Sequence, residues 1–221
     1  MTQIPIKEQS NNQLNYYREL SYSQKGKLVE QIGNEFLQYY AFETVEIKTK
    51  ALQKTEGDTV VNIVILRLPK KQVTADYKAG GSSKGYNDLC VDRAYFTKEG
   101  EPKVVNGSNV GWLYTTVSDW LIVVVPKTKK LFHIRWNGEL QRKLIRSYSL
   151  YADHIEPLPS WVTLDLIKID KYKNTEVLRI NLDQLAEQFP DLVIEYDLVG
   201  MDTYEEALEV YFQQLEELEE L

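Results

Sequence analysis

Apolar side chains at Val29, Ile32, Phe36 and Tyr40 recur near the helical period and predict a helix from about Ser23 to Tyr40. Ser21 and Gln24 have the spacing of a capping box, which lets the start fall slightly earlier. Gly33 lies on the apolar face and would allow a neighbour to approach closely. The pattern then changes to runs rich in β-branched residues. Thr44 to Leu52 and Thr59 to Leu68 read as two strands, with Thr55 to Asp58 as a tight turn, so the pair predicts a hairpin.

Further on, Ala-Gly-Gly-Ser-Ser-Lys-Gly within Lys78 to Asn87 predicts a flexible loop, and it lacks the ordered tail of a P-loop. Asp88 to Phe96 reads as a strand, and Glu99 to Val110 holds several turn formers. Trp112 to Val125 gives a strong strand signal, bent near Ser118 and Asp119. It returns after a turn at Pro126 to Lys130 as Leu131 to Trp136. Ser147 to Trp161 reads as an ordered connection, and Val162 to Lys168 as another strand. Leu182 to Phe189 predicts a short helix with Asn181 as N-cap and Pro190 as its stop. Tyr204, Ala207, Leu208, Tyr211, Leu215 and Leu218 place an apolar stripe on a last helix, Tyr204 to Leu221, opposite a face made mostly of Glu. Met1 to Asn12 is polar and reads as a mobile lead-in. These elements predict an α/β (or α+β) fold: a central mixed sheet of roughly five to seven strands, flanked by an N-terminal helix and C-terminal helices.

Composition narrows the chemistry. A chain of 221 residues with 43% hydrophobic side chains can build one main domain with appendages. The single cysteine excludes an internal disulfide, and Cys90, in an apolar stretch, reads as a small core residue. With His133 and His154 as the only histidines, no His/Cys zinc site can form. Any metal would rest on carboxylates, which favours magnesium, calcium or manganese. No apolar run approaches the ~20 residues that span a bilayer, and no signal-peptide core is present, so the expected location is the cytoplasm, with no membrane partner.

The net charge of −7 conceals a segregation. From Glu176 onward there are 14 acidic residues and one basic residue, Arg179, against 25 basic and 19 acidic residues before that point. The sequence therefore divides into a net basic body, 1–175, and an acidic, helical C-terminal segment, 176–221.

Val45-Glu46-Ile47-Lys48-Thr49 sets a carboxylate and an ammonium two apart, on one face of a strand. Such a pair can hold a divalent cation and orient a water, which phosphodiester cleavage requires. It is equally the pattern of a solvated cross-strand charge pair. The segment resembles the Glu-x-Lys half of the PD-(D/E)xK nuclease superfamily, and the preceding helix, with Glu30 and Glu35, resembles the helix that often adds an acidic residue there. The resemblance covers about Ser23 to Trp136. It implies Mg2+ as cofactor, with Glu46 and Asp88, or Asp119, as metal ligands. Lys48 would stabilise the attacked phosphate or the water, and Glu35 would assist the metal. The sequence departs from the family in having no Asp in Tyr40 to Thr44. A second registration keeps the family's order, with Asp119 opening a hairpin and His133-Ile134-Arg135 standing where Glu-x-Lys would fall. Plain structural roles compete at each position: Glu30 and Glu35 as surface residues of an amphipathic helix, Asp88 as a loop cap, Asp119 as an edge or bulge marker, His133 as a packed histidine.

Lys70, Lys71, Lys127, Lys129, Lys130, Arg142, Lys143 and Arg146 fall in or beside predicted turns, and Trp136, Tyr148 and Tyr151 offer rings that could stack on bases. The expected function is a divalent-metal-dependent nuclease or a nuclease-derived nucleic-acid-binding protein, with DNA favoured over RNA. Its rival is a non-enzymatic interaction module acting through the acidic helix. That helix could pack on the body, pair with its copy in a homodimer, or sit on the basic face as a phosphate mimic.

Overall fold

A computed structural model describes residues 2–40, 43–46, 59–63, 71–83, 85–104, 109–170 and 173–199. In chain order the strands are β1 (Thr2–Pro5), β2 (Glu43–Glu46), β3 (Thr59–Ile63), β4 (Lys71–Ala79), β5 (Gly81–Ser83), β6 (Tyr86–Phe96), β7 (Trp120–Val125), β8 (Lys130–Arg135), β9 (Val162–Asp170), β10 (Lys173–Asn181) and β11 (Val193–Val199). The helices are α1 (Glu8–Asn15), α2 (Tyr22–Tyr39), α3 (Trp112–Thr115), α4 (Gln141–Ala152) and α5 (Leu182–Gln188). The mixed α/β class is as expected. The strands form a seven-stranded mixed sheet, β1-β11-β8-β7-β4-β3-β2, and a second, four-stranded antiparallel sheet, β5-β6-β10-β9, which the sequence pattern did not suggest.

The layers follow from the alternation along β7. Ile122 and Val124 face α2, where Leu28, Val29, Ile32, Phe36 and Leu37 close one core with β1, β4 and β11. Leu121, Val123 and Val125 face the opposite way, onto Leu89, Val91, Leu178 and Ile180 of the second sheet and the helices beside it. A strand buried on both faces reads as an uninterrupted apolar run, and Trp120 to Val125 is one. Helix α2 carries the expected capping box at Ser21 and Gln24. Gly33 has the role its position suggests: a Cβ there would lie 2.4 Å from the Tyr77 ring. The hairpin β2–β3 is present, pairing Glu46 with Thr59, while its connection, including Thr55 to Asp58 and Lys48, lies outside the described residues.

Several expectations are corrected. The polar N-terminus holds β1, parallel to β11, with Ile4 and Ile6 fully buried. Two alternating isoleucines are too short a signal to predict a strand. The glycine-rich stretch is not a loop but the β4–β5–β6 turn of chain. Its glycines permit close packing, since a Cβ on Gly80 would meet Val125 at 2.7 Å and one on Gly81 would meet the Asp88 carboxylate at 2.3 Å. Trp112 to Thr115 is helical before the strand begins, and the expected connection, Ser147 to Trp161, is helical as far as Ala152 and a connection only after it. Asn181 caps α5 as expected, accepting from the Gln184 N–H at 3.1 Å. The division at residue 176 falls inside β10, which is bonded to β6 and β9, and β11 lies between β1 and β8. Of the acidic residues up to Asp197, Glu176 belongs to the second sheet and Glu195 and Asp197 to the first. The last helix, Tyr204 to Leu221, lies outside the described residues. Among the described residues no helix is long and apolar enough to cross a membrane.

Candidate nucleic-acid interface

The two aspartates expected to hold a metal stand apart. Asp88, in β6, is 2% exposed, and its carboxylate accepts from the Arg179 guanidinium at 2.7 Å; Arg179 also reaches Asp165 at 2.7 Å. These two carboxylates hold Arg179 firmly protonated, the bond to Asp165 contributing most. Asp119 accepts from the Thr74 N–H at 2.9 Å and from the Thr74 hydroxyl at 3.3 Å, which staples β4 to the start of β7. Asp88 packs against Gly80 and Gly81 beyond the other end of β7, so the two aspartates are separated by roughly 20 Å, six strand residues at ~3.3 Å each. The backbone of Glu46 shares a row with Thr59, Ala75 and Trp120, three strand spacings or about 14 Å from Trp120. Its side chain, like Lys48, lies outside the described residues. Among the described residues no three His, Cys, Asp or Glu side chains group to hold a metal. Asp88 and Asp119 thus do not share one cation, and the Glu46 side chain that would join either of them lies outside the described residues.

Glu35 is buried rather than on the surface. It accepts from the Ser10 hydroxyl at 2.7 Å, from Gln31 at 3.1 Å and from the Lys7 N–H at 3.2 Å, which ties α2 to α1. Glu30 is on the exposed face of α2. His133 sits between the rings of Trp120 (4.4 Å) and Phe36 (5.9 Å), and burial, with Arg135 nearby, lowers its pKa to about 4. A neutral, ring-packed histidine leaves the second registration without a Glu-x-Lys equivalent. Burial also pushes the Cys90 thiol up, which keeps it protonated and unreactive.

The cationic residues divide between the two ends of the β7–β8 hairpin. At one end, Arg142, Lys143 and Arg146 stand exposed on α4 rather than in turns. Arg142 bonds the Gly138 carbonyl, and Lys143 approaches Glu139 at 3.5 Å and the Phe189 ring at 5.5 Å. Trp136 is fully buried and Tyr148 donates to Glu176 at 3.1 Å, beneath the Arg93 guanidinium, so neither ring is open for stacking. Burial pushes the Tyr148 hydroxyl up to about 12. Tyr151 is 39% exposed.

The other end is a cleft. Strands β4 and β7 run parallel, and beyond their carboxyl ends lies an open hollow of about 580 Å³. Ligands of open α/β sheets commonly settle in that position. One wall is the end of α1 and the turn after it, Asn15 to Glu19; the other is Pro126, Lys127 and Lys129 of the hairpin turn, with Gly80 and Gly81 between. Arg18, Lys127 and Lys129 face the hollow, with Glu19 as the one carboxylate among its described lining residues. Tyr16 is 61% exposed there, and Tyr17 lies beneath the Lys25 ammonium at 5.3 Å. The hairpin turn is held firmly. Thr128 donates to Asn87 at 2.6 Å, Asn87 donates in turn to Asp183, and Lys129 adopts φ 51° while its backbone carbonyl accepts from Leu198. The Lys129 ammonium reaches Asn11 of α1 at 3.2 Å, which links the two walls.

Lys127 and Lys129 of the expected set thus share one site, whereas Lys130 is drawn into a pair with Glu195, whose carboxylate raises its pKa. Lys70 and the side chain of Lys71 lie outside the described residues. Tyr16, Tyr17 and Arg18 were passed over in the sequence. The signal was there, two aromatics followed by a cation, but the strand that folds the N-terminus back against β11 was not legible. No protein-family model, curated protein or solved structure matches this chain.

Proposed function

We propose that this protein binds nucleic acid, as a nuclease-like scaffold that holds its ligand through the cleft at the ends of β4 and β7. The observation that carries this reading is the convergence of Arg18, Lys127 and Lys129 with an exposed tyrosine in one hollow. Cations supply the salt-dependent, sequence-independent part of binding to a phosphate backbone, and tyrosine supplies a face for a base. The binding form is favoured over the cleaving form because Asp88, Asp119 and Glu35 spend their carboxylates on Arg179, Thr74 and Ser10.

The test is fluorescence anisotropy with labelled DNA and RNA across a salt series, together with a cleavage assay in magnesium, in manganese and with EDTA. Salt-sensitive binding without cleavage is the expected outcome. Metal-dependent cleavage lost in Glu46→Ala/Lys48→Ala would restore the nuclease reading with those two residues at its centre. Absence of both binding and cleavage would overturn the proposal in favour of an interaction module built on the acidic C-terminal segment.

A further inference from the structure

We infer that the cleft takes a single unstacked nucleotide, its base on Tyr16 and its phosphate among Arg18, Lys127 and Lys129; the inference rests on the nucleic-acid reading and narrows it to single-stranded ligand. The size of the hollow decides against a duplex. About 580 Å³ lies within the range of sites that enclose one small ligand, ~300–1,000 Å³, and far below what a double helix needs to enter. Its walls are also bonded to the elements beside them. The Lys129–Asn11 bond ties the hairpin turn to α1, and the Thr128–Asn87–Asp183 chain ties it to α5.

The chemistry of the lining is that of a base and a phosphate together. Tyr16 keeps its ring accessible at the end of α1, where it is 61% exposed. The described side chains beside it include three cations and one carboxylate, Glu19, a set suited to a phosphate attached to a stacked base. A base in a duplex offers only its edges to a protein, whereas a base in a single strand offers a face. A free mononucleotide shares this chemistry with a nucleotide inside a strand, and the two sources must be separated by measurement.

The experiment compares the wild-type protein with Tyr16→Ala and Tyr16→Phe. Each is titrated against a fluorescein-labelled 20-nucleotide mixed-sequence DNA strand and against the same sequence as a duplex, with AMP and inorganic phosphate as competitors. Loss of base stacking worth ~1–3 kcal/mol corresponds to a roughly 5- to 150-fold weaker grip on the single strand in Tyr16→Ala. Tyr16→Phe keeps the ring and is expected to bind as wild type, and duplex binding is expected to be weak and equal in all three. Tyr16 is exposed, so the melting temperature is expected to stay unchanged, which separates lost stacking from lost folding. Competition by AMP at concentrations where phosphate is silent would mark the free nucleotide as a ligand in its own right; failure of AMP to compete would assign the site to the polymer. Single-strand binding that Tyr16→Ala leaves intact, or preference for the duplex, overturns the inference and leaves the nucleic-acid reading standing. Binding indifferent to both Tyr16→Ala and Lys127→Ala/Lys129→Ala overturns the two together.

Discussion

The two ends of β7 both gather polar and aromatic residues and use them in opposite ways. At its start, Asp119, His133 and Trp136 are polar or aromatic groups turned inward: the carboxylate is bonded to Thr74, the imidazole is packed between rings, and the indole is fully buried. At its far end, Lys127 and Lys129 project around a hollow that Tyr16 and Arg18 share. A motif search is drawn to the first end, because an Asp before an apolar strand and a His-x-Arg on its partner look like chemistry. Burial sorts the two ends better than residue type does. The imidazole and indole of the first end are closed in by neighbouring rings, whereas Lys127, Arg18 and Tyr16 stand exposed around the hollow.

The sharpest way to break this contrast is acid. His133 is held neutral with a pKa of about 4 against an ordinary value of 6.5. Above pH 6.5 neither the folded nor the unfolded chain protonates it, and stability is at its full value. Between pH 6.5 and 4 the unfolded chain takes up the proton and the folded one does not, so stability falls with pH. A difference of two to three pKa units is worth about 3 kcal/mol by linkage. Urea midpoints at pH 7.5 and 4.5 are expected to show that loss in the wild type and most of it removed in His133→Phe. An unchanged pH response in the variant would mean that the ring is not desolvated as its packing against Trp120 and Phe36 implies.

Asp119→Ala comes next. It strips the Thr74 N–H and hydroxyl of their shared acceptor, and a buried donor left unsatisfied costs about 1–3 kcal/mol. Thermal melting is expected to record the loss, while nucleic-acid affinity stays at the wild-type level. A fall in affinity with unchanged stability would assign Asp119 to the ligand after all and restore the first end of β7 as a site.

At the cleft the signs reverse. Lys127→Ala/Lys129→Ala is expected to leave stability within about 1 kcal/mol, since surface substitutions rarely cost more. Affinity for a single strand is expected to fall about tenfold at moderate salt. The slope of log K against log salt is expected to flatten by about 1.4, two phosphate contacts at ~0.7 each. Equal slopes would show that these lysines are merely solubilising.

How much of this was legible depended on the length of each signal. The 18-residue helix α2, its capping box and the buried run of β7 each repeat a pattern often enough to be read. β1 has four residues, and β10 spreads its apolar positions between charges that pair with β6 and β9, so neither stands out. Gly80 and Gly81 have the composition of a flexible loop, yet the atoms crowded against them show why side chains are absent. The cleft needed three segments brought together, residues 15–19, 80–81 and 126–129, and no local pattern links them. Glu-x-Lys, by contrast, was visible because it is short, and short patterns recur as ordinary charge pairs on sheet surfaces.

The smallest expected effect concerns the acidic C-terminal segment. β11 ends at Val199, whose carbonyl accepts from the Ile6 N–H, and the preceding Leu198 N–H donates to the carbonyl of Lys129 at the cleft wall. From Met201 onward the sequence has eight acidic residues and no basic one. The last described residues of β11 therefore stand at the cleft wall, and these eight acidic residues follow them in the sequence. Screening limits the reach of their charge to about 8 Å at physiological salt, so the expected gain on truncation after Gly200 is modest, about two- to threefold in single-strand affinity. The gain should grow as salt is lowered and vanish at about 1 M, where the screening length is only ~3 Å. It should also vanish in Lys127→Ala/Lys129→Ala, because the segment and the ligand would then no longer compete for the same charges. A gain that persists in that variant would mean that the acidic residues repel nucleic acid from the whole surface, and that the cleft is not where the competition occurs.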